Sequence, residues 1–139
     1  MDRIVVGFDG SEHSQRALER AVMIAKASGA TVAVVSSAKV SQLMRDPAGG
    51  ISPVEPAEAE ERAKALEMAR GLLSGKDVPA DFVEGHGDPA DVLVQEATDS
   101  GAALIVVGTR GLNVAQRVLL GSVSTKVVHH APCDVLIVR

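Results

Sequence analysis

The chain alternates short, continuously apolar runs with longer stretches in which apolar residues recur at helical spacing. Ile4-Val5-Val6-Gly7-Phe8 carries no charge, as expected of a strand buried on both faces. It ends at Asp9-Gly10-Ser11, which supplies turn residues and a cap for a helix. Ala17, Leu18, Ala21, Val22, Ile24 and Ala25 then mark that helix's apolar stripe, and Ser28-Gly29 stops it. Thr31 to Val35 is a second β-branched run, closed by Ser36-Ser37. The stretch from Lys39 to Glu55, with Pro47, Gly49, Gly50 and Pro53, predicts a loop. Pro56 to about Leu73 is rich in helix formers and opens on a proline suited to a first helical position.

The second half repeats the alternation. Ala80 to Glu84 predicts a short strand, and Asp88-Pro89 caps and starts a helix whose stripe is Val92, Leu93 and Ala97, ending at Ser100-Gly101. Leu104 to Val107 is the clearest strand. After Gly108 comes a glycine-containing loop with an apolar turn at Val118 to Leu120, then a helix from about Ser122 to His130 and a final strand from Asp134 to Val138. Strands separated by crossovers of this length imply parallel pairing. The expected architecture is an α/β fold: an open, doubly wound, five-stranded parallel sheet of order 3-2-1-4-5, with helices on both faces and a single domain over residues 1–139.

Composition narrows the function classes. With 139 residues, 46% of them hydrophobic, the chain can bury one continuous core; two Phe and no Trp or Tyr make that core aliphatic and leave few stacking platforms for bases. A net charge of -4 and scattered Lys and Arg argue against a nucleic-acid partner. The one cysteine, Cys133, cannot form an internal disulfide, and Met1 leads into a strand-like segment rather than a signal peptide. No apolar run approaches the ~20 residues of a membrane span. A cytoplasmic protein without a membrane partner is the expectation.

In an open α/β sheet, ligands bind beyond the carboxyl ends of the strands, where the strand order reverses. Asp9 closes the first strand. Gly108-Thr109-Arg110-Gly111 closes the fourth, and Gly121-Ser122-Val123-Ser124 opens the last helix. Glycines allow close backbone approach, and free N–H groups at a helix N-terminus favour phosphate. Ser122 and Ser124 add hydroxyls, and Arg110 adds a cation. A plainer account of the same residues makes Gly108 a strand-ending turn, Gly111 a loop residue and Ser122 an ordinary cap.

Other candidates are weaker. Gly85-His86-Gly87-Asp88-Pro89-Ala90 fits a dinucleotide fingerprint, but it follows the third strand, no acidic residue ends the next one, and Asp88 with Pro89 explains the sequence as a helix start. No Gly-Lys-Ser or Gly-Lys-Thr is present, so there is no Walker A loop. His129, His130 and Cys133 lack a fourth metal ligand, and adjacent histidines diverge on a helix. Cys133 reads as a small apolar filler, and His13 as a solvated residue of a first helical turn.

The spacing Gly108, two residues, Gly111, nine residues, Gly121-Ser122 resembles the ATP-binding motif of the universal stress protein family. The resemblance extends over the whole chain and includes Asp9-Gly10-Ser11, Gly87-Asp88-Pro89 and the terminal stretch Pro132 to Val138. It implies a nucleotide-binding regulatory protein of stress response, with Gly108, Gly111, Gly121, Ser122, Val123 and Ser124 around the phosphates of ATP and Arg110 nearby. Asp9 would lie by the ribose or by a Mg²⁺ or Mn²⁺ held mainly by the phosphates. Ser36 to Ala38, with Ser37 at its centre, would meet the adenine through backbone groups; relatives often carry His or Val there. Cyclic AMP in the same pocket and slow ATP hydrolysis are the alternatives. Hydrolysis needs a positioned water and a base, and no base is identifiable, so binding is favoured over turnover. The resemblance also implies a homodimer. The apolar run Val135-Leu136-Ile137-Val138, at the edge of the expected sheet, would pair with its copy from a second chain.

Overall fold

The computed structural model describes residues 1–38, 56–109 and 120–139. Nine elements follow in order: β1 (Arg3–Gly7), α1 (Glu12–Ser28), β2 (Thr31–Ala38), α2 (Pro56–Leu73), β3 (Ala80–His86), α3 (Pro89–Ser100), β4 (Leu104–Gly108), α4 (Ser122–His130) and β5 (Asp134–Val138). The five strands form one sheet of order β3-β2-β1-β4-β5, parallel throughout. The doubly wound arrangement read from the alternation is therefore the one observed.

Burial explains why the strands read as continuous apolar runs. Alternate residues of β1 point to opposite faces, and both faces are covered: Ile4 and Val6 lie in a core with α1 and α2, whereas Val5 lies in a second core with α3 and α4. Strand β4 divides in the same way, Leu104 and Val106 on one side and Ile105 and Val107 on the other. Small residues on the helices, among them Ala17, Ala21, Ala25, Ala90 and Ala97, allow close packing on the branched strand residues.

Local chemistry sets the helix ends. The Ser11 hydroxyl accepts the Ser14 N–H at 3.2 Å to cap α1, and Gly29, at φ 75°, closes it in the left-handed region. Asp88 caps α3 through the Asp91 N–H, with Pro89 opening the helix. Strands β2 and β3 run further than their apolar runs, to Ala38 and His86, because the two continue to pair with each other through Ser37↔Gly85 and Ala38↔His86. Ser36 and Ser37, which close the apolar run, are paired residues of β2.

Candidate functional site

The strand order reverses between β1 and β4, so their adjacent carboxyl ends form the switch point. Asp9 leaves β1 here. Its Oδ1 accepts the Ser11 N–H at 2.9 Å, bending the chain into α1, and its side chain is exposed. Oδ2 takes no hydrogen bond from a described residue, which leaves one carboxylate oxygen for a cation.

Across from Asp9, Gly108 ends β4 and Thr109 follows, with its N–H on the Val138 carbonyl at 3.0 Å. A Cβ on Gly108 would stand 2.7 Å from the Cβ of His13 and 2.8 Å from its backbone carbonyl carbon and oxygen. The absent side chain therefore lets the first turn of α1 lie against the end of β4. This packing reason stands beside the phosphate reading of the same glycine. Arg110 and Gly111 lie outside the described residues, as do residues 118–119 of the apolar turn and the 39–55 stretch.

The chain returns at Gly121, which is buried and donates its N–H to the Thr109 carbonyl at 2.6 Å. Gly121, not Ser122, is the cap of α4; lacking a side chain, it makes no side-chain cap bond. Ser122 is the first helical residue and is exposed, Val123 packs partly against the α3–α4 core, and Ser124 is buried. The Ser124 hydroxyl donates to the Gly108 carbonyl at 2.7 Å, so it fastens α4 to the end of β4. No described backbone carbonyl accepts the N–H groups of Ser122, Val123 or Ser124. Such amides at the positive end of a helix dipole suit an anion.

Ser37 lies on the other flank of β1. The β1–β2 register ends at Gly7↔Val35, and the Val35 carbonyl accepts the Phe8 N–H at 2.9 Å. Backbone groups alternate sides with a period of two, so the N–H and C=O of Ser37 face the same way as those of Val35, beyond the end of the β1 ladder. One donor beside one acceptor, aimed over the switch point, matches an edge that presents an acceptor beside a donor. The Ser37 hydroxyl itself donates to the Gly87 carbonyl at 2.9 Å.

Three features escaped the sequence reading. His13 is not simply solvated: its Nδ1 lies 3.0 Å from the Thr109 hydroxyl. Arg62 of α2, only 7% exposed, donates from Nη1 to the Gly85 carbonyl at 3.0 Å, pinning α2 to the carboxyl end of β3, while its Nε has no partner among the described residues. Lys126 of α4 bridges Asp91 at 2.9 Å and Asp88 at 3.3 Å, fixing α4 on the start of α3. Burial pushes the Asp88 carboxyl up, but the Asp91 N–H and the Lys126 ammonium outweigh it and hold the group below its ordinary value. Asp91 and then Asp88 hold the Lys126 ammonium above its own. A charge pattern gives no hint of these pairings, because each joins different elements. At the far end of α4, His129 and His130 are both exposed. Cys133 is half-buried against the α3–α4 core, and burial, then Asp134, push its thiol up.

The chain is similar to known proteins over its whole length. The model of the universal stress protein family matches residues 1–139. The chain belongs to the universal stress protein family. The universal stress protein YxiE of Bacillus subtilis is 34% identical over 146 residues, covering 99% of each chain. The universal stress protein in the QAH/OAS sulfhydrylase 3' region of Thermus aquaticus is 39% identical, over 98% of this chain and 97% of its own. Among solved structures, a universal stress protein in complex with cAMP superposes with a TM-score of 0.75 at 30% identity, over 99% of this chain and 97% of that one. In this universal stress protein, Gly108 and Gly121-Ser122 stand at the switch point, at the end of β4 and the start of α4. No described helix is long and apolar enough to cross a membrane.

Proposed function

We propose that this universal stress protein is a regulatory protein that binds an adenine nucleotide, ATP, across the switch point between β1 and β4. The observation that carries the reading is the pair of backbone features flanking that point: the amide end of α4, whose N–H groups no described backbone carbonyl accepts, on one side and the overhanging Ser37 backbone on the other. The first suits phosphate. The second suits adenine, whose edge offers an N–H donor beside a ring acceptor. The relative solved with cAMP supports an adenine nucleotide as the ligand class.

ATP is preferred to cyclic AMP because the cradle from Gly108 to Ser124, with Arg110 and Gly111 included by the motif, offers more donors than one cyclic phosphate uses. Mg²⁺ or Mn²⁺ would be held mainly by the phosphates, with Asp9 Oδ2, which takes no hydrogen bond from a described residue, within the same site. Regulation follows if bound and free forms present different surfaces to a client. We place the protein in the cytoplasm and assign it no catalytic residue.

Calorimetric titration with MgATP tests the reading, with Ser122→Glu as the variant. Ser122 is exposed at the first position of α4, where an acidic residue favours the helix dipole and leaves the fold intact, yet its charge repels phosphate. Loss of binding in the folded variant is expected. Undiminished affinity would remove the phosphates from α4, and displacement of ATP by a lower concentration of cyclic AMP would reverse the order of ligands.

We also propose a homodimer through β5. The strand stands at the sheet edge, where Val135 and Ile137 pack against one core and Leu136 and Val138 against the other. A two-fold-related copy would satisfy its outer backbone groups.

A further inference from the structure

We propose that His13 is a positioning residue for the nucleotide: it holds the end of β4, and through Thr109 the start of α4, against the first turn of α1. The proposal rests on the nucleotide reading above and adds to it a residue that touches neither phosphate nor base.

Thr109 is the junction. It is 7% exposed, and its polar groups are all engaged. Its N–H bonds the Val138 carbonyl, and its carbonyl accepts the Gly121 N–H at 2.6 Å and the Ser124 hydroxyl at 3.5 Å. Its hydroxyl meets His13 Nδ1 at 3.0 Å. Three of these contacts tie β4 to β5 and α4, and among the described residues the fourth alone reaches α1. Because the Thr109 carbonyl receives the N–H of the α4 cap, any displacement of Thr109 moves the amides of Ser122 to Ser124 with it.

The same turn of α1 holds the opposite flank. Ser14, the residue after His13, accepts the Asp9 N–H on its hydroxyl at 3.3 Å and donates that hydroxyl to the Ser11 carbonyl at 2.9 Å. Two consecutive residues thus fix the two sides of the switch point, Asp9 through Ser14 and Thr109 through His13. The short reach from His13 to Thr109 exists because Gly108 has no Cβ to keep α1 away. A ligand that bridges the two flanks gains affinity when their separation is set before it arrives.

Geometry chooses the test. Asn places a polar atom on its γ-branch close to where His carries Nδ1, whereas Ala places none. MgATP titration of the full chain should show His13→Ala binding about five- to tenfold more weakly, the worth of one hydrogen bond. His13→Asn should recover most of the loss, and Thr109→Val should match His13→Ala. The double variant His13→Ala with Thr109→Val should be no weaker than either single one, because both remove the same bond. In the nucleotide-free protein, amide exchange at Gly121 should quicken in His13→Ala and return towards wild type in His13→Asn. A folded His13→Ala with wild-type affinity, a His13→Asn as weak as His13→Ala, or additive losses in the double variant would each overturn the proposal while leaving the nucleotide reading in place. Wild-type protein that binds no adenine nucleotide overturns both.

Discussion

Gly108→Ala isolates the packing role of the glycine at the head of the site. The added Cβ would stand 2.7 Å from the His13 Cβ and 2.8 Å from its carbonyl carbon and oxygen. Optimal carbon contacts begin near ~3.5 Å, so the overlap with the His13 Cβ is about 0.8 Å. The atoms in the way include backbone of α1, which cannot rotate aside. Overpacking of this kind costs about 3 kcal/mol. An opposing gain of about 0.4–1 kcal/mol comes from the stiffer unfolded chain, available because Gly108 does not need a left-handed backbone. The steric term wins, and a net loss of about 2 kcal/mol is expected, equivalent to roughly 6 °C in Tm or about 1 M in urea midpoint. Urea unfolding followed by far-UV circular dichroism measures it directly. A Gly108→Ala protein as stable as wild type would show that α1 does not press on β4 as described.

Gly71→Ala is the matching control: Gly71 lies in α2, and a Cβ added there would meet no atom within 4 Å, so the same substitution should stabilise by about 0.5–1 kcal/mol in the same assay. Asp88→Asn keeps a capping side chain but removes the charge beside Lys126. Because the folded Asp88 carboxyl ionises below its unfolded value, its stabilisation is present above the ordinary carboxylate range and is lost as pH falls through the folded value. The deficit of Asp88→Asn, read from urea midpoints, should therefore be small but measurable at about pH 6 and shrink towards about pH 3. For the proposed dimer, Ile137→Pro is the chosen variant. The Val138 carbonyl faces β4, so by alternation the Ile137 N–H faces the open edge, and proline there removes an outward donor without breaking the β4–β5 ladder. Light scattering should find a dimeric wild type and a monomeric variant. Val138→Lys would test less cleanly, because Val138 is only 6% exposed and belongs to the core.

The elements whose cause is local could be read along the chain. Strands β1 and β4 were legible because burial on both faces demands an unbroken apolar run, and the starts of α1 and α3 because Ser11 and Asp88 cap N–H groups three residues on. Alternation of strand and helix then implied parallel pairing, and the glycine spacing from Gly108 to Gly121 pointed to the carboxyl end of β4 as the candidate site. Tertiary structure alone decided how far the pairing of β2 with β3 would run, since the apolar pattern stops at Val35 and at Val83 while the two strands go on supplying each other with hydrogen-bond partners. It also decided what His13, Arg62 and Lys126 touch. His13 and Thr109 are 96 residues apart, and nothing along the chain marks them as neighbours. Gly108 belongs to both accounts: its place in the motif was readable, but the reason a side chain cannot stand there is a helix that folds back onto it from the other end of the chain. Local hydrogen bonds and burial periodicity are written in adjacent residues, whereas the close approach of two backbones depends on the packing of the whole sheet and its helices.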